Sequence, residues 1–299
     1  MGRQERGHLA RNLDIFFARE RTDAEPLRPH RAALESWLGD QALLVPLPKY
    51  GDFTHDLPED HAFPMVRRLF EAREGNMRAY FSEHLERYYL HPKLEAVPER
   101  RADTAAAGVP PGAYWSNKFL PPGDARALCA FLGHLDPARL VEVGVGHSTA
   151  FARVAIEAFG LSTRITSIDP DPRANVHGVT DEHVCASVTD VDPGLFGSLA
   201  AGDVLFYDGS HVCHCGTDVP HVFLDVLPRL APGVFVHIHD VLLPFEYHPE
   251  FRRRHYNEHH LLAAMLLFAE GWEVLFPQHW LNHRGLTEHH GFSFWMRRV

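Results

Sequence analysis

Two short stretches carry side chains able to move protons or hold a metal ion: Asp208-Gly209-Ser210-His211, and His237-Ile238-His239-Asp240 within GVFVHIHDVLLPFEY (Gly233–Tyr247). The second lies in a run so apolar that an unpaired imidazole would cost on the order of 1–3 kcal/mol. Residues two apart on a strand share a face, so His237 and His239 point the same way, with His239 and Asp240 at the carboxyl end. His237, one step deeper, is expected to be a satisfied core residue or to orient its neighbour. His211, His239 and Asp240 are candidates for catalysis, since an imidazole of near-neutral pKa can take a proton from an acceptor hydroxyl. Asp208, His239 and Asp240 are candidates to hold a divalent ion that lowers the acceptor's pKa and orients it. The plainer alternative is that His239 bonds Asp208 to fix a loop and Asp240 caps a turn.

A second constellation is Glu142-Val143-Gly144-Val145-Gly146-His147-Ser148, followed by Asp169. Glycines after a strand let the chain turn and a ligand approach the backbone, and an acid roughly 20 residues on can hold ribose hydroxyls. A dinucleotide motif would place a third glycine where Thr149 stands, which weakens a pyrophosphate reading. Glu142 suits a cationic ligand instead, and S-adenosylmethionine carries a sulfonium, an ammonium and no phosphate.

These residues require a parallel sheet to bring them together. From about residue 111, short apolar runs alternate with amphipathic stretches: LVEVGV, RITSID, HVCASV, DVLFYDG, GVFVHIHD, WEVLFPQHWL and GFSFWMRR read as strands. The last two have no room for a crossover helix between them, so they are expected to pair antiparallel. The fold class is therefore α/β, a Rossmann-like seven-stranded sheet with a terminal antiparallel hairpin. Residues 1–110 read as an N-terminal helical segment, with helical periodicity in HRAALESWLGDQALL and HAFPMVRRLFEAREGNMRAYFSEHLERYYL, expected to form a lid, an acceptor pocket or a homodimer contact. Residues 111–299 form the second domain.

The motifs EVGVGHST, SIDPDP, FYDGSH and HIHDVLLPFEY resemble, in order and spacing, the class I S-adenosylmethionine-dependent methyltransferases, in particular a subgroup with E-x-G-x-G-x-S-T, I-D, D-G-S-H and H-D motifs. The resemblance runs from about Tyr114 to the C-terminus. It implies that Glu142, Gly144 and Gly146, with Ser148, line the amino-acid part of the cofactor and that Asp169 holds its ribose. Asp208 is grouped with the cofactor-binding residues too. The adenine contact would fall among Ser187, Val188, Thr189 and Asp190, with a turn or helix cap as the alternative role for Asp190. The Asp208, His211 and His239-Asp240 positions are similar to those of metal-dependent catechol-type O-methyltransferases. Histidine in place of one carboxylate turns the expectation from magnesium towards manganese, iron or zinc. The residues leave two other readings open: an iron-dependent oxygenase or hydrolase on the same fold, and a non-catalytic nucleotide-binding module.

Tyr247, Tyr256, Asn257 and Glu258 are candidates to line an acceptor pocket, and YWSNKF (Tyr114–Phe119) to close over the cofactor. A net charge of −10 argues against a grip on nucleic acid and favours a small-molecule acceptor. Apolar runs such as Leu261–Ala269 are too short to span a membrane, and the N-terminus lacks a signal peptide's apolar core, so a cytoplasmic protein is expected. The four cysteines fit a reducing compartment, and Cys213-His214-Cys215 has one intervening residue where zinc sites have two to four.

Overall fold

A computed structural model describes residues 61–172, 178–252 and 254–299. The helix expected over His30–Leu44, with the rest of the first sixty residues, lies outside the described residues. Seven strands form one sheet in the order β3-β2-β1-β4-β5-β7-β6. They are β1 Arg139–Val143, β2 Arg164–Ile168, β3 Glu182–Val184, β4 Val204–Tyr207, β5 Phe235–Ile238, β6 Trp272–Pro277 and β7 Phe294–Arg298. All neighbours are parallel except β7, which inserts between β5 and β6 and runs antiparallel to both. This is the Rossmann-like methyltransferase fold, and its order reverses between β1 and β4, where such sheets open a crevice at the strands' carboxyl ends.

Each element has a local cause. The central strands are buried on both faces, so they read as continuous apolar runs; Val204–Tyr207 and Phe235–Ile238 are buried throughout. Gly146 precedes the helix His147–Phe159, and Gly160 ends it with φ +70°. One expected strand is shorter than its apolar run suggests: WEVLFP is β6, but the chain then turns into the helix Gln278–His283. That helix buries Trp280 and Leu281 in the core and directs Gln278 towards Tyr89, contacts that continued strand pairing would not supply.

The described part of the expected N-terminal helical segment, residues 61–110, is helical over much of its length and packs on the sheet. The helix Pro64–Tyr80 continues through a π-helical turn, Phe81–Leu85, and its residues Val66, Phe70, Met77, Phe81 and Leu85 belong to the same core as the sheet. Phe70 lies against Trp280 and Phe294, and Phe81 stacks on Phe276 at 5.6 Å. The apolar stripe of this helix thus covers β6 and β7, which would otherwise expose aromatic surface. Among the described residues no helix is long and apolar enough to cross a membrane.

At the centre of this packing Trp295 of β7 stacks on Phe131 with ring centroids 3.9 Å apart, both side chains fully buried. Trp295→Ala should lower the unfolding free energy by about 3–5 kcal/mol. Urea denaturation followed by circular dichroism measures it; a loss below 1 kcal/mol would show that this stack does not carry the junction.

Candidate functional site

The ladder of hydrogen bonds runs one residue beyond each central strand. Gly144 N–H donates to Ile168 O, Asp208 N–H to Val143 O and His239 N–H to Tyr207 O, each at 3.0 Å, and Asp169 N–H donates to Val184 O at 3.2 Å. Asp169, Gly144, Asp208 and His239 therefore stand on successive strand tips along one edge of the sheet. Gly144 has φ +87°, and a Cβ on it would fall 2.0 Å from Asp208 O, so only glycine lets these two tips approach. A Cβ on Gly146 would meet nothing within 4 Å, leaving the backbone there open to a ligand.

On this side Asp169 is half-buried and fixed by backbone donors: Val145 N–H reaches Oδ2 at 2.9 Å and Asp171 N–H reaches Oδ1 at 2.8 Å. Glu142 behaves differently from the expectation that it lines a ligand. Its carboxyl is buried, and its two oxygens accept from the hydroxyls of Ser148 and Thr149. Burial pushes its pKa up to about 8. Ser148 is likewise buried and committed to Glu142, so both residues brace the turn from beneath. Thr149, in the place of a third glycine, completes the brace by accepting from Gly146 N–H at 3.2 Å. Asp190 is exposed in the turn Val188–Asp190 after β3. Tyr114 and Phe119 both pack on the His147 ring, which places the aromatic segment beside the glycine turn.

On the other side two histidines converge. His239 is fully buried, and its Nε2 lies 3.1 Å from Asp124 Oδ2. Its Nδ1 faces Asp208 Oδ1 at 3.6 Å and Asp240 Oδ1 at 3.5 Å. His211 mirrors this: Nδ1 lies 2.6 Å from Glu258 Oε1, while Nε2 faces Asp208 Oδ1 at 3.2 Å and Asp240 Oδ2 at 3.5 Å. A carboxylate only accepts, so Asp124 and Glu258 each take an N–H from the back of one ring and fix its orientation. His211 and Asp240 adopt φ of +62° and +55°, backbone strain in non-glycine residues at the point where the rings and acids meet. Against burial, which disfavours the charged ring, Glu258 and Asp208 hold the His211 pKa well above its usual value, and Asp240 and Asp208 do the same for His239. Asp208, though burial opposes it, is held well below the usual carboxylate range by His239 and His211.

Potential metal ligand atoms of Asp208, His211 and Asp240 lie within 4.8 Å of one another. The expected set named His239 beside these two acids; the geometry adds His211 and leaves His239 facing the acids through Nδ1 alone. His237 is a core residue, its Nε2 bonded to Ser293 Oγ at 2.9 Å and its ring stacked on Phe206 at 4.0 Å. The residues expected to line an acceptor pocket largely support His211 instead. Tyr256 stacks on its ring at 4.2 Å, Asn257 N–H donates to its carbonyl at 3.0 Å, and Glu258 bonds its Nδ1. Tyr247 is buried against His259. Cys213 is half-buried and Cys215 exposed on the loop after β4, and neither joins a metal-ligand group among the described residues.

Asp124 has no sequence signal: it lies 115 residues from His239 and reads as an ordinary acid in a helix's first turn. Its Oδ1 accepts from Phe292 and Ser293 N–H, both at 2.7 Å, which ties the approach to β7 into the site. Gly291 permits this, since a Cβ there would sit 2.3 Å from Asp124 Oδ1.

Residues 141–241 match a methyltransferase-domain family. No curated protein matches the chain significantly. Among solved structures, the chain is similar to a methyltransferase of Podospora anserina bound to S-adenosylhomocysteine, with 14% identity, 82% of this chain and 99% of that one covered, and a TM-score of 0.42. It is also similar to human N-acetylserotonin methyltransferase in complex with S-adenosylmethionine, with 12% identity, 59% and 52% covered, and a TM-score of 0.37. A structure from Thermobifida fusca described as a candidate methyltransferase has 18% identity, 44% of this chain covered and a TM-score of 0.33; the chain spans 54% of its length.

The raised pKa of Glu142 has a consequence for stability. The folded chain keeps a proton that the unfolded chain releases, so stability falls as pH rises from 4.5 to about 8. Glu142→Gln cannot ionise and should flatten that decline, melting above the wild type at pH 8. Thermal melts of both proteins across this range measure it, and parallel pH profiles would mean that Glu142 ionises normally.

Proposed function

We propose that a chain with this Rossmann-like methyltransferase fold transfers a methyl group from S-adenosylmethionine to a hydroxyl of a small molecule, with a divalent metal held at the histidine-aspartate cluster. The observation that carries the reading is the arrangement of the two imidazoles. Each has one nitrogen anchored by a buried carboxylate and the other turned towards Asp208 and Asp240. A ring with carboxylates at both nitrogens either holds two protons or shares one side with a cation. His211 and the two acids make a donor set of one nitrogen and two carboxylates, with His239 facing the same acids beside it, and a histidine-containing set suits manganese, iron or zinc better than magnesium.

The cofactor side fits its ligand as well. The open space above Gly146 admits an approach to the backbone, and Asp169 presents a fixed carboxylate to a ribose diol. S-adenosylmethionine would supply the methyl on a sulfonium, and a divalent ion would lower the pKa of the acceptor hydroxyl and fix its place. The chain's own part is alignment and proton handling. Asp208 stands between the cofactor tips and the histidines, Asp240 and the two imidazoles receive the hydroxyl, and Asp124 and Glu258 keep the rings from turning. His239, whose Nδ1 faces the same acids and which is not itself in the ligand group, would take the acceptor's proton. The acidic net charge supports a small-molecule acceptor over nucleic acid.

Calorimetric titration with S-adenosylmethionine tests the reading: binding in the micromolar range that is lost in Asp169→Ala is expected. No binding with divalent ions supplied, together with tightly held iron, would overturn it in favour of a metal-centred oxygenase or hydrolase. For the metal, Asp124→Asn should weaken manganese affinity by about 10–100-fold while leaving cofactor binding unchanged. An equal loss of both would mean that Asp124 supports the fold rather than the ligand set.

A further inference from the structure

A second group of ligand atoms lies outside the cluster described above. Glu246, on the loop after β5, and His259 and His260, in the first turn of the helix Glu258–Phe268, bring one ligand atom each within 4.8 Å of the others. His260 Nε2 lies 3.0 and 3.1 Å from the two oxygens of Glu246, and His259 Nε2 lies 3.3 Å from Oε1. Metal–ligand bonds of about 2.0–2.2 Å give ligand-to-ligand separations of roughly 2.8–3.6 Å in octahedral or tetrahedral shells. The nitrogen-to-oxygen spacings fall within that range. The two rings meet at 83° with centroids 4.5 Å apart, and one ligand nitrogen of each lies within 4.8 Å of the other.

The hydrogen bonding of His260 sharpens the case. Its Nδ1 lies 3.2 Å from the carbonyl of Asn257, which can only accept, so the proton sits on Nδ1. Nε2 then faces a carboxylate, which calls for positive charge at this point, either a second proton on the ring or a cation between the two groups. His259 is fully buried and held by stacking on Tyr247 at 3.6 Å and 3°, so its ring is fixed. Glu246 is fixed from the other side, its N–H donating to His61 O at 2.8 Å. His260 is partly exposed and leaves solvent a route to the site.

From this geometry we propose that Glu246, His259 and His260 form a second metal site, distinct from the Asp208–Asp240 cluster, taking zinc or a similar first-row divalent ion with water completing the shell. Two imidazoles and a carboxylate are a donor set that zinc accepts. The ion joins the loop after β5 to the start of the helix that carries Glu258. Because Glu258 orients His211, the second ion acts on the first cluster as a positioning element.

The test uses untagged full-length protein carrying Asp208→Asn and Asp240→Asn, so that the first cluster is disabled. Equilibrium dialysis against zinc, read by elemental analysis, should show one equivalent retained, and zinc should raise the melting temperature. Adding His260→Ala, a substitution at a partly exposed side chain, should weaken zinc binding by at least about 100-fold, more than loss of an outer-shell partner would. Adding Glu246→Gln should do the same, and cobalt should give visible d–d absorption without thiolate charge-transfer bands. Zinc retained in both added variants, a thiolate signature from the cysteines, or no zinc bound at all would overturn the proposal. The last result would leave a doubly protonated His260 paired with Glu246.

Discussion

Four carboxylates, Asp124, Asp208, Asp240 and Glu258, are gathered around two imidazoles at the tips of β4 and β5, and the rest of the site is arranged to make this tolerable. Buried charge of one sign is costly unless it is paired and hydrogen-bonded. Asp124 meets that requirement with two backbone N–H donors and a ring nitrogen. Among the described residues no backbone donor cradles Asp208 or Asp240, which face the histidines instead, so they are where a cation would relieve most repulsion. The strained φ of His211 and Asp240 belongs to the same balance, since these two residues meet in the cluster with His211 Nε2 3.5 Å from Asp240 Oδ2.

The sheet supplies the precision. A parallel ladder fixes spacing between neighbouring strands, and its extension by one residue at β1, β2, β4 and β5 lets the functional residues inherit that spacing. Gly144 then sets how closely the β1 and β4 tips approach, which brings the proposed cofactor side and the histidine cluster to a common edge. The antiparallel β7 matters beyond closing the sheet. Through Phe292 and Ser293 it holds Asp124, so the last strand of the chain helps to orient a histidine on β5.

Much of this was legible in the sequence because strands and their tips follow from local pattern. VEVGVG, ITSID, LFYDGSH and FVHIHD each join an apolar run to polar residues at its end, and parallel order then places those ends together. Other roles depended on contacts that no local pattern records. Glu142 looked like a ligand-facing acid, but Ser148 and Thr149 turn it inward as the brace of the glycine turn. Glu258 and Asn257 looked like pocket residues; the loop after β4 folds back onto them, so they hold His211 instead. Asp124 was invisible because its partner is remote in sequence. The helix Gln278–His283 was hidden in a strand-like run because Trp280 and Leu281 are apolar for tertiary reasons.

The helix Glu258–Phe268 connects these points, because adjacent residues in its first turn face two different clusters. Glu258 reaches His211, whereas His259 and His260 reach Glu246. Helical geometry separates neighbouring side chains by about 100°, so a rigid first turn can serve two sites, but it cannot shift at one without shifting at the other. Tyr247 strengthens the link by stacking on His259 and meeting Tyr256, which stacks in turn on His211. The histidine density of this region therefore has a physical reading. The rings are the packing surface between a loop and a helix start, and through Tyr256 and Glu258 they help to hold the His211 ring in place.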